Sequence, residues 1–409
     1  MVSVVVAGGG TAGHTSPLIA TVAALRTAEP GVQVTAIGTP KGLETTVVPA
    51  AGIDLRLIDP VPLPRRLSPD LLRVPLRLRA AIAQARGILL ERHADVLVGF
   101  GGYVSMPAYL AARRLAIPVI LHEQNAVPGL ANKVAARFAR RTLVSFPGTA
   151  LPGAEFIGMP LRPDLIRLAE HGRAADRARA AAGFGLDPAR PTLLVSGGSQ
   201  GARSINTAVV GARGDLLAAG VQILHVIGPR NFSDADVRVT DQTTGASYVP
   251  VAFVEHMEDA YAAADLMLGR SGAGTVVETA VVGLPAILVP LPHGNGEQAR
   301  NADPLVAAGA AVVVADVDLT PERLVREVSS CIHDPEVLAA RARAGQHLMP
   351  ASAARTLAGI VLDTVAESGV AVSHTRRDAA GDGPDPEPPG GGREGTAGGA
   401  LRKDDDGTA

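Results

Sequence analysis

Short aliphatic runs alternate with longer helical patterns along most of this chain. In the first half the runs read Ser3–Ala7, Val32–Ile37, Asp95–Val98 and Pro118–Leu121. A second series begins at Thr192–Ser196 and continues with Gln222–Ile227, Asp265–Leu268 and Ala286–Val289. Runs of this length that are apolar throughout, instead of alternating with polar positions, suit parallel strands covered by helices on both faces. The pattern therefore predicts a doubly wound α/β fold. Each series opens with a strand running into glycines, VVVAGGGTAGH and LLVSGGSQGAR, and the two glycine turns lie about 189 residues apart. Such spacing predicts two similar halves with a ligand cleft between them. The junction is expected near Gly158–Pro163, where a glycine and two prolines interrupt the pattern. From about Ser373 onward Gly, Pro, Asp and Arg dominate with almost nothing to bury, so no structure is expected there.

Four glycine-bearing turns follow strands and precede helices: Gly8–Gly13, Gly99–Gly102, Gly197–Gly201 and Gly272–Gly274. Glycine lets backbone N–H groups approach a ligand, and a following helix adds unpaired amides and partial positive charge, a combination suited to phosphate. Any one such turn could be only a tight connection; four of them point to anion binding. Gly8-Gly9-Gly10-Thr11-Ala12-Gly13 matches the G-x-G-x-x-G dinucleotide pattern. A dinucleotide site also needs an acid ending the second strand, and Ala36-Ile37-Gly38-Thr39 supplies none, which disfavours a dehydrogenase. In Arg270-Ser271-Gly272-Ala273-Gly274-Thr275-Val276-Val277-Glu278 the amides at the helix start could hold a diphosphate. Glu278, about one turn further on, could accept both hydroxyls of a ribose or simply lie on the surface.

Composition narrows the class. With 47% hydrophobic residues in 409, the chain can build two cores; with 3% aromatics and no Trp, those cores are aliphatic. A formal charge of −2 argues against a general nucleic-acid binder. The single cysteine, Cys331, excludes an intrachain disulfide and reads as a buried small hydrophobe. No signal peptide and no apolar stretch long enough to span a bilayer is evident, so a cytoplasmic location is expected.

At these residues the sequence closely resembles the MurG family of glycosyltransferases, family 28. Those enzymes add N-acetylglucosamine to the lipid-linked muramoyl-pentapeptide precursor of peptidoglycan. The likeness runs from about residue 1 to 365 and is carried by GGGTAGH (8–14), GFGGYVS (99–105), LHEQNAVPGLAN (121–132), GMPLR (158–162), GGSQGAR (197–203), RSGAGTVVE (270–278) and GNGEQARNA (294–302). The resemblance implies the GT-B architecture, with an acceptor- and membrane-binding domain over 1–160 and a UDP-sugar domain over 161–368; composition makes 369–409 an expected disordered tail. It implies inverting transfer from UDP-N-acetylglucosamine to lipid I, forming lipid II, at the cytoplasmic face of the membrane. No cofactor, metal or nucleic acid is implied. Ser199 resembles the serine at the α-phosphate and Arg162 the linker arginine of the donor site. Val254 matches the position whose backbone reads uracil, and Ala273, Gly274, Thr275, Val276, Val277 and Glu278 match the diphosphate and ribose segment. Gln298 matches the glutamine on the sugar hydroxyls, Asn125 the asparagine reaching in from the first domain, and Thr11, Ala12 and Gly13 the first glycine loop. Ala12 stands where many members have glycine, and Glu297 where some carry a second glutamine.

Inversion by direct displacement needs a base for the acceptor hydroxyl and stabilisation of the leaving diphosphate. His14, at the lip of the first glycine loop, is the leading base, and Glu123 the second candidate; ordering the loop or binding acceptor phosphate is the plainer role for His14. His122, ending an aliphatic run, reads as structural. Asp316-Val317-Asp318 and Asp234-Ala235-Asp236 are weak candidates for a metal-binding Asp-x-Asp. Leu72, Arg73, Leu76 and Arg77, with Arg65 and Arg66 just before, interleave leucine and arginine as a patch dipping into anionic headgroups would. Rival readings are a paralogous transferase with another acceptor, a UDP-N-acetylglucosamine epimerase, and a non-catalytic nucleotide-binding module.

Overall fold

A computed structural model of the chain describes residues 1–61, 73–293 and 295–380, with the backbone alone over 369–380. By its internal contacts the chain divides into Met1–Ala366 and Glu367–Ala409. Within the first unit the described strands form two seven-stranded sheets. The first comprises β1 (Ser3–Ala7), β2 (Gln33–Gly38), β3 (Asp54–Leu57), β4 (Val96–Gly99), β5 (Val119–Glu123), β6 (Arg141–Val144) and β7 (Ala154–Phe156). Their spatial order is 3-2-1-4-5-6-7 and every pairing is parallel. The second comprises β8 (Thr192–Ser196), β9 (Gln222–Val226), β10 (Val239–Thr240), β11 (Ser247–Val251), β12 (Leu266–Gly269), β13 (Ala286–Leu288) and β14 (Ala311–Val313). Its order, 10-11-9-8-12-13-14, repeats the first around the central strand, with one antiparallel edge pair, β10 with β11.

The helices that cross between strands are α1 (Ala12–Ala28), α2 (Glu44–Ala50), α3 (Val74–Glu91), α4 (Ser105–Arg114), α5 (Leu130–Ala135), α6 (Pro163–His171), α7 (Arg173–Gly183) and α8 (Arg203–Ala218). They continue with α9 (Met257–Ala263), α10 (Ala273–Val281), α11 (Glu297–Ala307), α12 (Pro321–Ser329), α13 (Pro335–Leu348) and α14 (Ala353–Ala380). Central strands are buried on both faces, as their unbroken aliphatic character requires: Val4, Val5, Val6, Leu193, Leu194 and Val195 are inaccessible to solvent.

In a sheet of this order the chain winds away in opposite directions from a central pair of strands, and a crevice opens at their carboxyl ends. Those pairs are β1 with β4 and β8 with β12. The four glycine turns are the four connections leaving these strands, so the topology brings all of them to crevice positions. Helix α14 returns to the first half: Leu357, Ala358 and Val361 belong to the same apolar cluster as Val4, Val6 and Leu18.

One expectation changes. The segment after Ser373 was expected to have no structure, yet α14 runs to Ala380. Neither Gly nor Pro occurs between Val370 and Ala380, and the run ends where Gly381 begins the Gly- and Pro-rich stretch. The remainder of the tail, 381–409, lies outside the described residues. Cys331 is buried as expected, and burial pushes its thiol pKa up, away from the reactive range.

Candidate active site

The first two glycine turns interlock. Gly102 has φ +83°, a left-handed conformation that favours glycine, and a Cβ on it would stand 2.8 Å from the Gly9 carbonyl oxygen. Ser105, opening α4, donates from its hydroxyl to the Ala7 carbonyl at 3.0 Å and the Gly101 carbonyl at 2.6 Å. His14, in the first turn of α1, sits against this junction, with Nδ1 3.2 Å from Thr11 Oγ1. In the tautomer that directs Nδ1–H at Thr11, Nε2 is left to accept a proton. Burial lowers the His14 pKa below the ordinary 6.5, partly offset by Glu123, the Gly9 backbone, Glu297 and Glu44. The imidazole is therefore neutral and able to act as a base at cellular pH.

Glu123 serves a different purpose from the one considered above. Its Oε1 accepts from the Asn125 amide at 2.9 Å, and its Oε2 from the Gly129 amide and Asn132 Nδ2, both at 2.9 Å. Three donors on a buried carboxylate make it the organiser of the 123–132 loop, with little capacity left to take a substrate proton. His122 is structural as read: Nε2–H donates to the Gly158 carbonyl at 2.9 Å and Nδ1 accepts from Gln124 at 3.0 Å. Burial holds its pKa at about 4.

One cavity of about 690 Å³ is lined from both halves. The first contributes Thr11, Gly13, His14, Tyr103 and Asn125; the second contributes Gly272, Ala273 and Glu297. Asn301, which sequence reading passed over inside the GNGEQARNA segment, bridges the two. It is fully buried; its Oδ1 accepts from the Ala126 amide at 2.8 Å, and its Nδ2 donates to Asn125 Oδ1 and the Ser271 carbonyl, both at 3.3 Å. The signal for it was helical period, since Asn301 stands one turn beyond Glu297 on α11.

A second constellation lies in the second half. Glu278 Oε2 accepts from the Tyr261 hydroxyl at 2.7 Å, while Oε1 lies nearer the helix start, 3.7 Å from where a Cβ on Gly274 would stand. Burial raises the Glu278 pKa; Tyr261 and Arg162 counter it and Glu258 adds to it. Arg162, immediately before α6, ion-pairs with Glu258 at 3.5 Å. Ser199 is exposed on the third glycine turn, Ala12 is exposed at the start of α1, and Gln298, in the first turn of α11, accepts the Leu291 amide at 3.0 Å. Val254 is buried beside the exposed Phe253, in the connection from β11 to α9.

Four sequence assignments are revised or bounded. Val276 and Val277 have side chains fully inside the core of the second half, and the Val276 amide closes on the Gly272 carbonyl. The amides ahead of them, at Ala273, Gly274 and Thr275, belong to the first turn and have no acceptor inside the helix. Asp316 pairs with Arg270 and accepts from the Ser204 hydroxyl, Asp236 accepts from the amide and hydroxyl of Ser233, and among the described residues neither belongs to a group of three or more possible metal ligands. Of the proposed membrane patch, Leu76 is 72% exposed and Arg73 and Arg77 are exposed; Leu72, Arg65 and Arg66 lie outside the described residues. Among the described residues, no helix is long and apolar enough to cross a membrane.

Residues 4–144 match the family profile of the glycosyltransferase family 28 N-terminal domain, and residues 192–357 match that of its C-terminal domain. The chain belongs to glycosyltransferase family 28. A family relative from Cutibacterium acnes, named UDP-N-acetylglucosamine–N-acetylmuramyl-(pentapeptide) pyrophosphoryl-undecaprenol N-acetylglucosamine transferase, is 62% identical over 361 residues, 88% of this chain and 96% of its own. The transferase of the same name from Nocardioides sp. is 55% identical, over 88% of this chain and 97% of its own. Among solved structures, Acinetobacter baumannii MurG superposes with a TM-score of 0.69 at 28% identity, covering 89% of this chain and all of that one. The calicheamicin glycosyltransferase CalG4, at 18% identity and a TM-score of 0.61, shares the fold. The family 28 chain described here has the GT-B architecture.

Proposed function

We propose that this family 28 enzyme transfers N-acetylglucosamine from UDP-N-acetylglucosamine to lipid-linked muramoyl-pentapeptide, lipid I, giving lipid II with inversion at the anomeric carbon. The observation that carries the reading is the convergence of four glycine turns on the crevice ends of two like sheets, with one cavity that joins His14 to the amide-bearing start of α10.

In this reading residues 161–368 hold the donor. The amides of Ala273, Gly274 and Thr275, with Ser199, take the diphosphate and stabilise it as it leaves, without recourse to a metal. Glu278, oriented by Tyr261, accepts the ribose hydroxyls, the Val254 backbone reads uracil, and Arg162 steadies the linker side. Gln298 and Asn125 hold the sugar hydroxyls, and Thr11, Ala12 and Gly13 close over it from residues 1–160. His14 Nε2 removes the proton of the attacking acceptor hydroxyl, which displaces UDP from the opposite face of the sugar. The patch of Leu72, Arg73, Leu76 and Arg77 seats the first domain on the anionic cytoplasmic face of the membrane, where the lipid-linked acceptor resides.

The deciding experiment supplies labelled UDP-N-acetylglucosamine with a muramoyl-pentapeptide diphospholipid. A lipid-linked disaccharide is expected. Donor converted to an epimer without acceptor, or donor bound with no product at all, would replace the reading with one of its rivals.

A further inference from the structure

Asn301 is held by two backbone groups of fixed polarity, one from each half. Its Oδ1 accepts from the Ala126 amide at 2.8 Å, and its Nδ2 donates to the Ser271 carbonyl at 3.3 Å. A backbone N–H only donates and a backbone C=O only accepts, so these contacts fix which end of the Asn301 amide is oxygen. The second Nδ2 hydrogen is then directed at Asn125, whose Oδ1 lies 3.3 Å away. Asn301 is fully buried, so water does not compete for these bonds.

Asn125 is thereby pinned twice. Its backbone amide donates to Glu123 Oε1 at 2.9 Å, and its side-chain oxygen accepts from Asn301. What remains is Nδ2, a pair of N–H donors on a residue that lines the same cavity as His14. Gln298, one turn before Asn301 on α11, has the same polarity for the same reason. Its Oε1 accepts from the Leu291 amide at 3.0 Å, which leaves Nε2 for a ligand. A side-chain amide can meet a ligand with either end. Here the protein consumes both oxygens and leaves both NH2 groups.

We propose that Asn301 is a positioning residue that makes Asn125 a hydrogen-bond donor, and never an acceptor, to the transferred sugar. Asn125 from the first half and Gln298 from the second then both hold sugar oxygens by their lone pairs. The proposal rests on the reading of the site as one for a UDP-sugar. Asn301 itself touches no substrate. Its bond to the Ser271 carbonyl, just ahead of α10, joins the orientation of Asn125 to the half that carries the nucleotide. The consequence is a rule of selectivity: a hydroxyl or acyl oxygen satisfies Asn125, whereas an ammonium group in its place meets only donors and is refused.

The test uses the full chain without acceptor, titrated calorimetrically with UDP and with UDP-N-acetylglucosamine. The ratio of the two affinities reads the sugar alone, because effects on nucleotide and diphosphate cancel. Asn125→Ala is expected to lower the sugar-nucleotide affinity relative to UDP by about three- to tenfold, the worth of one neutral hydrogen bond. Asn301→Ala is expected to lower the ratio by a similar factor. The double variant should lie within about twofold of Asn125→Ala, since Asn301 acts through Asn125. Asn125→Asp keeps an oxygen for Asn301 but turns a second oxygen to the ligand, and should lose as much as Asn125→Ala. Additive losses in the double variant, or equal losses of UDP and sugar nucleotide in Asn301→Ala, would overturn the proposal. If Asn301→Ala does not fold, Asn125→Asp decides, and a ratio retained there overturns it equally. A wild type that binds neither ligand would remove the UDP-sugar reading and the proposal with it. Binding of both with ratios unmoved in every variant would overturn the proposal alone.

Discussion

A histidine can serve as a base only where its neutral form predominates, and His14 achieves this by burial against the interlocked turns, with Glu123, Glu297 and Glu44 limiting the drop. The acid limb of the kcat–pH profile should therefore fall below the ordinary imidazole value of 6.5, because the base stays unprotonated to lower pH. His14→Ala should lower kcat by about a hundred- to ten-thousandfold and leave the KM for donor within a few-fold. Steady-state kinetics with both substrates varied would show it, and an undiminished kcat would assign His14 to loop order alone. Glu278 shifts the other way. Burial raises its pKa, so the carboxylate proposed to receive ribose begins to protonate above the usual carboxylate range. UDP affinity measured by calorimetry should fall as pH drops toward that range, and Glu278→Ala should remove both affinity and its pH dependence.

At the scale of elements, the central strands carry buried histidines whose titration sets the acid stability of the fold. His122 on β5 and His225 on β9 are inaccessible, and burial lowers each from 6.5 to about 4. Between those values the unfolded chain binds protons that the folded chain refuses, so stability rises with pH through that window and is lost as pH falls through it. Each histidine should remove about 3 kcal/mol by the bottom of the window. Urea denaturation at pH 7 and pH 4.5 would report the difference, and replacing either histidine with Gln should flatten it. On α3, Leu76 and Arg77 are exposed while Val74 and Leu78 pack against the first core, so the helix turns one side to the core and leaves the other open for the proposed membrane contact. Leu76→Ser with Arg77→Ser should reduce sedimentation with anionic vesicles and leave activity on a soluble acceptor intact; equal sedimentation would dismiss the patch. Strands β1 and β8 were legible to the residue because each is an aliphatic run ended by glycine. Strands β6, β7 and β11 were not: Arg141 opens one, Ala154–Phe156 is exposed, and Pro250 interrupts the apolar run of the third. Glu44 and Asn301 escaped for a related reason. Their partners, Gly10 and Asn125, are distant in sequence, and only the fold brings them together.

Taken as a whole, Met1–Ala366 is one compact unit although it contains two sheets that could each have closed a separate core. Part of the reason lies at the far end of the chain. The first turns of α14 place Leu357, fully buried, among Val4, Val6, Leu18 and Val22, so the innermost strand of the first half is completed by residues some 350 positions later. A chain truncated before α14 would leave that cluster open to water and so lose part of the first half's stability. Leu357→Ala leaves a cavity there and should destabilise by about 2–5 kcal/mol. The location of the damage distinguishes this from an ordinary helix defect. Hydrogen exchange should accelerate at the amides of β1 and β4, which lie in the first sheet, while β8 and β12 in the second keep their protection. Loss of protection spread evenly over both sheets would mean that the two halves unfold as one cooperative body. Loss confined to α14 would mean that the helix is an appendage to the first core rather than part of it.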